Sequence, residues 1–154
     1  MLDNIKVEDI LFLDIETVPE APSVDLLDPL KQKLWDKKSK QFRNPDQSAA
    51  DVFERAGIYS EFGRIICISV GFIKEKNPFS LRIKSFYGDD EKKILYEFSA
   101  MVTRFSKLKR DAQLCAHNGK EFDFPYIARR MIINRLEIPG ILNNAGKKPW
   151  ELKL

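Results

Sequence analysis

At 154 residues the chain can bury one real core, and its 44% hydrophobic and 32% charged residues are those of a globular protein. No apolar run approaches the roughly 20 residues of a membrane helix, and the acidic start Met1–Asp9 lacks a signal-peptide pattern, so a cytoplasmic protein is expected, with no membrane partner. The net charge of +3 is compatible with nucleic acid, and the bases gather in the second half at Arg104, Lys107, Lys109 and Arg110, at Arg129, Arg130 and Arg135, and at Lys147 and Lys148.

The first predicted element is a strand over Ile10–Ile15, stopped by Thr17-Val18-Pro19. A period of two puts Asp14 and Glu16 on one face, roughly 7 Å apart, with Ile15 pointing into a core. Two acids at the end of a buried strand need a partner, and a hard divalent cation such as Mg²⁺ is the most economical one. The stretch from Asp25 to Phe42 reads as a helix, with Asp28 as N-cap, Pro29 in the first turn, and Leu30, Leu34 and Trp35 recurring at helical spacing. Asn44-Pro45 breaks it. A second helix is expected from Asp46 or Ser48 to about Ala56, ended by Gly57. Residues 25–57 thus form a helical insertion within a single domain spanning 1–154.

Arg64–Ile73 is a strand rich in β-branched residues, Asn77-Pro78 a turn, and Leu81–Tyr87 an alternating, half-buried strand beside its predecessor. Asp89 or Asp90 caps a long helix whose buried face carries Ile94, Leu95, Phe98, Met101, Val102, Phe105 and Leu108. Gln113–Ala116 is a short buried strand and His117-Asn118-Gly119 a turn. A last helix runs from Phe122-Asp123 to about Asn134, with Ile127, Met131 and Ile132 inside and Arg129 and Arg130 outside. The two cysteines, Cys67 and Cys115, fall in apolar strands without zinc spacing and read as core thiols. The order β-β-β-α-β-α is an α/β layout, the front part of an RNase H-like mixed sheet with flanking helices. Trp150, Leu152 and Leu154 alternate like the opening of one more strand, which suggests a chain truncated before the last strand and helix.

Two motifs carry a resemblance. Phe12-Leu13-Asp14-Ile15-Glu16-Thr17 resembles the first, Asp-x-Glu motif of the DEDD superfamily of 3′–5′ exonucleases, and Asn118-Gly119-Lys120-Glu121-Phe122-Asp123 resembles its second, Asn-x-x-x-Phe-Asp motif. Over nearly the whole chain the similarity is to stand-alone bacterial relatives of the exonuclease domain of B-family DNA polymerases. The resemblance implies a metal-dependent 3′–5′ exonuclease acting on single-stranded or frayed DNA 3′ ends. Asp14, Glu16 and Asp123 are then the metal-binding, catalytic carboxylates. In a parallel pairing of the Gln113–Ala116 strand with the first strand, Asp123 comes close to Asp14 and Glu16, and two Mg²⁺ or Mn²⁺ ions about 3.5–4 Å apart would neutralise the three. One ion would activate a water and the other would stabilise the leaving 3′ oxygen.

The same resemblance gives Thr17 a hydrogen bond to the 3′ end and has Asn118 orient the loop and the terminal nucleotide. Phe122 either stacks on the last bases or belongs to the core. His117, the only histidine, does not stand where the family keeps its catalytic base and is read as structural or substrate-adjacent. The family's third motif, Tyr-x-x-x-Asp or His-x-x-x-x-Asp, is absent, since no aspartate follows Asp123. The chain as given is therefore expected to be impaired or inactive. An exoribonuclease of the same superfamily and a non-catalytic nucleic-acid-binding module are the alternatives. The oligomeric state is open.

Overall fold

The computed structural model describes residues 6–75 and 80–144. The expected Asn77-Pro78 turn and the expected strand opening at Trp150–Leu154 lie outside them, as do Lys147 and Lys148. Four strands, β1 (Ile10–Pro19), β2 (Gly63–Glu75), β3 (Ser80–Tyr87) and β4 (Gln113–Cys115), form one sheet in the order β3-β2-β1-β4. Three α-helices accompany them: α1 (Pro29–Ser39), α2 (Glu91–Leu108) and α3 (Asp123–Ile133). Among the described residues no helix is long and apolar enough to cross a membrane. By backbone contacts the chain divides into two compact units, Thr17–Ile65 and a second made of Met1–Glu16 with Ile66–Leu154.

In the second unit, β1 shows the expected alternation: Leu11, Leu13 and Ile15 are buried while Phe12, Asp14 and Glu16 are exposed. The strand runs on to Pro19 rather than stopping at Thr17, because a proline in the last position gives up no ladder hydrogen bond. β2 and β3 pair antiparallel, with Ile68 opposite Phe86 and Gly71 opposite Ile83. The short β4 lies parallel to β1, with Ile10 opposite Gln113 and Phe12 opposite Cys115.

Asp90 caps α2 through Lys93 N–H at 3.1 Å, and Ile94, Leu95, Phe98, Val102 and Phe105 are buried as the periodicity predicts. Phe98 meets Phe86 edge-on at 6.2 Å, and Phe105 meets Phe72 at 6.1 Å, fixing this helix to the sheet. Leu108, expected in the core, is exposed in the last position of α2. The burial of β3 also differs from expectation. Only Phe86 is buried, and Leu81 and Ile83 stand on the opposite, open face, Ile83 at 71% exposure. Cys115 is exposed and Cys67 only half-buried, so neither is a core thiol.

The Thr17–Ile65 unit has its own aromatic core. Trp35 is fully buried and contacts Phe53 and Phe62 edge-on at 5.6 and 5.3 Å, and its indole N–H donates to Ala49 O at 2.8 Å. Asp28 caps α1 as its sequence demands, accepting from the Leu30 and Lys31 N–H groups at 3.0 Å each. Leu30 and Leu34, expected beside Trp35 on the inner face, point outward instead. The expected second helix is a run of turns followed by a 3₁₀ helix, Phe53–Ile58. The turns before it are held by Ser48 and Asp51: the Ser48 N–H and hydroxyl both donate to Asp51 Oδ2 at 2.8 Å, and the Asp51 N–H donates back to Ser48 Oγ at 3.3 Å. Gly57 lies within this helix and does not end it. A Cβ there would come within 3.1 Å of the Val18 backbone, so close approach to β1 explains the glycine.

Candidate functional site

Asp14 and Glu16 project from the solvent side of β1, two residues apart and both exposed. Thr17 follows them on the same strand and is half-buried. Asp123 comes from the other end of the chain, as the first residue of α3, and only 2% of it is exposed. Parallel pairing brings the two elements together: β4 runs beside β1, and the chain leaves β4 through the loop that starts α3.

That loop is built by two residues with different reasons. Asn118 takes φ 55°, a left-handed conformation that asparagine tolerates better than most residues, and its carbonyl accepts the N–H groups of Glu121 and Phe122 at 3.0 Å each. Gly119 leaves room for Phe124. A Cβ on it would lie 2.6 Å from that ring and 2.8 Å from the Ala116 Cβ. Phe122 is half-buried and packs on Tyr126, with ring centroids 5.4 Å apart, so the core alternative raised for it accounts for at least part of its surface.

The electrostatics of the site centre on Asp123. Burial pushes its carboxyl above the ordinary carboxylate range, and the negative charge of Asp14 adds to the rise. Hydrogen bonds from its own N–H and from the Ile15 N–H, and the nearby His117, act the other way. β4 ends opposite Phe12, short of Ile15, and the Asp123 carboxyl lies against the Ile15 N–H. Sequence reasoning overlooked this backbone donor, and the only available signal was the brevity of the Gln113–Ala116 run. It also misplaced Arg130, which is 4% exposed. The Arg130 guanidinium donates through Nε to Glu91 Oε1 at 2.8 Å and through Nη2 to Oε2 at 2.5 Å, and Asn134 Nδ2 adds a third bond to Oε2 at 2.9 Å. This pair ties the start of α2 to the helix that carries Asp123.

Among the described residues no three His, Cys, Asp or Glu side chains converge as ready metal ligands. The chemistry of the acids nonetheless fits a hard cation: oxygen donors only, with a like-charge repulsion between Asp14 and Asp123 that a cation would relieve.

Residues 52–146, more than half of the chain, match the RNase_H_2 family of the RNase H superfamily. The chain belongs to the RNase H superfamily. The mixed four-stranded sheet with flanking helices is the sheet expected of an RNase H-like fold, and membership points to a nucleic-acid hydrolase. A comparison with curated proteins returned no match. The RNase H match contains Asn118, Phe122 and Asp123 but begins after β1, so Asp14 and Glu16 lie outside it, and of the two only Asp14 acts electrostatically on Asp123.

Proposed function

We propose that this RNase H superfamily member is a metal-dependent 3′–5′ exonuclease that hydrolyses phosphodiester bonds at DNA 3′ ends, as a soluble cytoplasmic enzyme. The observation that carries the reading is the meeting of Asp14, on the exposed face of β1, with Asp123, at the start of α3, across a parallel strand pair. Asp14, Glu16 and Asp123 are the residues that would hold Mg²⁺ or Mn²⁺, which supplies an activated water and stabilises the departing 3′ oxygen. Thr17, next along β1, offers its hydroxyl and backbone N–H to the terminal nucleotide. Asn118 sets the turn that leads into Asp123, and Phe122 offers the remaining part of its ring to the last base.

Cleavage of end-labelled single-stranded DNA and RNA, with Mg²⁺, Mn²⁺ or chelator, tests the reading. Metal-dependent shortening from the 3′ end is expected, weak because no Tyr-x-x-x-Asp or His-x-x-x-x-Asp motif follows Asp123, and lost in Asp14→Ala and Asp123→Ala. Variants that cleave as well as the parent overturn the site assignment. Preference for RNA makes the protein an exoribonuclease, and binding without cleavage makes it a nucleic-acid-binding module.

A further inference from the structure

The outward face of α1 is composed unlike the rest of its unit. Thr17–Ile65 holds equal numbers of basic and acidic residues, eight of each. Half of the acids are engaged within the unit. Asp28 caps α1, Asp36 pairs with Lys40 and Arg43, Glu20 holds Lys31, and Asp51 is engaged by Ser48. Lys33 and Lys37 are exposed and form no ion pair among the described residues. They share the outer face with Leu30 and Leu34, 65% and 46% exposed, at the i, i+3, i+4, i+7 spacing of one helical stripe. Trp35 and Ser39 hold the opposite side in the core, so the stripe cannot turn inward. Leu26, just ahead of the helix, is exposed as well.

We propose that this face docks a helical segment of a partner protein whose apolar side chains meet Leu30 and Leu34 and whose flanking Asp or Glu side chains meet Lys33 and Lys37. Another helix matches the stripe because its own i, i+4 ridge repeats at the spacing of Leu30 and Leu34. Charge complementarity selects the partner. A second copy of the chain would bring lysine against lysine. Nucleic acid would satisfy the lysines through its phosphates but leave Leu30 and Leu34 facing water. A lipid surface would gain little from two leucines on a helix whose other side is committed to the core. This surface is independent of the carboxylates on β1 and of the proposed nuclease activity.

Fluorescence anisotropy with a labelled helical peptide bearing leucines at i, i+4 and i+7 flanked by glutamates tests it on the full chain. Parallel arms use the same peptide with lysines in place of glutamates, an oligo(dT) strand, and vesicles containing phosphatidylserine. The leucine–glutamate peptide is expected to bind saturably and to weaken with added salt. Its affinity should fall about tenfold or more in Leu30→Ser/Leu34→Ser and in Lys33→Glu/Lys37→Glu, and the second variant should gain the lysine peptide. These residues are exposed, so circular dichroism of both variants should match the parent. The proposal fails if the glutamate peptide shows no saturable binding up to about 1 mM, or binds parent and variants alike. It also fails if the substitutions remove DNA or vesicle binding and spare the peptide.

Discussion

The Asp123 carboxyl lies against its own N–H and that of Ile15, in a place where burial and the Asp14 charge favour its protonated form. A carboxyl whose folded-state pKa is raised contributes most to stability when protonated. That contribution is lost as pH rises through the folded value, above the roughly 3.9 at which an unfolded aspartate titrates. Asp123→Asn keeps an acceptor for the Ile15 N–H and carries no charge. In chelator, its melting temperature relative to the parent should therefore climb as pH rises from the unfolded value through the folded one and then level off; a difference flat across that window would contradict the burial argument. The same variant should lose at least the roughly 100-fold in metal affinity that removal of a mere supporting contact costs. Asn118 offers a second separation of roles. Asn118→Gly preserves the left-handed turn and should leave the melting temperature near the parent's while weakening 3′-end binding. Asn118→Ala should in addition cost about 1–2 kcal/mol of stability, read by urea denaturation. Equal oligonucleotide affinity in Asn118→Gly and the parent would reduce Asn118 to a turn residue.

At the scale of elements, the site depends on how α3 is anchored. Its buried stripe, Asp123, Tyr126, Ile127 and Arg130, ends in the ion pair with Glu91 at the start of α2. Removing one member of such a pair strands a charge, so Glu91→Ala should cost about 3–5 kcal/mol, whereas replacing both residues by leucine and methionine should cost far less. A thermal melt of the three proteins measures this directly. The end of α3 is also instructive. Arg135 sits at φ 57°, the Leu136 N–H reaches Met131 O at 2.8 Å, and the Arg135 N–H reaches Ile132 O at 3.0 Å, the Schellman arrangement usually closed by glycine. Arg135→Gly should relieve the left-handed strain and stabilise the protein by up to about 1 kcal/mol, seen as a higher urea midpoint with unchanged slope.

For the whole molecule, a cation that binds only the folded chain must raise its stability. At a hundred times the dissociation constant the gain is about 2.7 kcal/mol. Titrating Mn²⁺ or Mg²⁺ should raise the melting temperature of the parent and leave Asp14→Ala unmoved; identical shifts in both would place the bound ion elsewhere. Local patterns made much of the architecture legible. The period of two placed Asp14 and Glu16 on one face of β1, Asp28 and Asp90 announced the starts of α1 and α2, and a 3.6-residue stripe identified most of the buried face of α2. These features rest on a few neighbouring residues and on backbone geometry, so the sequence alone determined them. Tertiary structure decided which side of an ambiguous element faces inward. Trp35 rather than Leu30 and Leu34 anchors α1, Phe86 rather than Ile83 anchors β3, and Arg130 turns inside because Glu91 waits there. It also decided the state of Asp123, which is buried beside Ile15 and Asp14 of a strand more than a hundred residues away. Each of those outcomes is set by a partner distant along the chain, which no local pattern can specify.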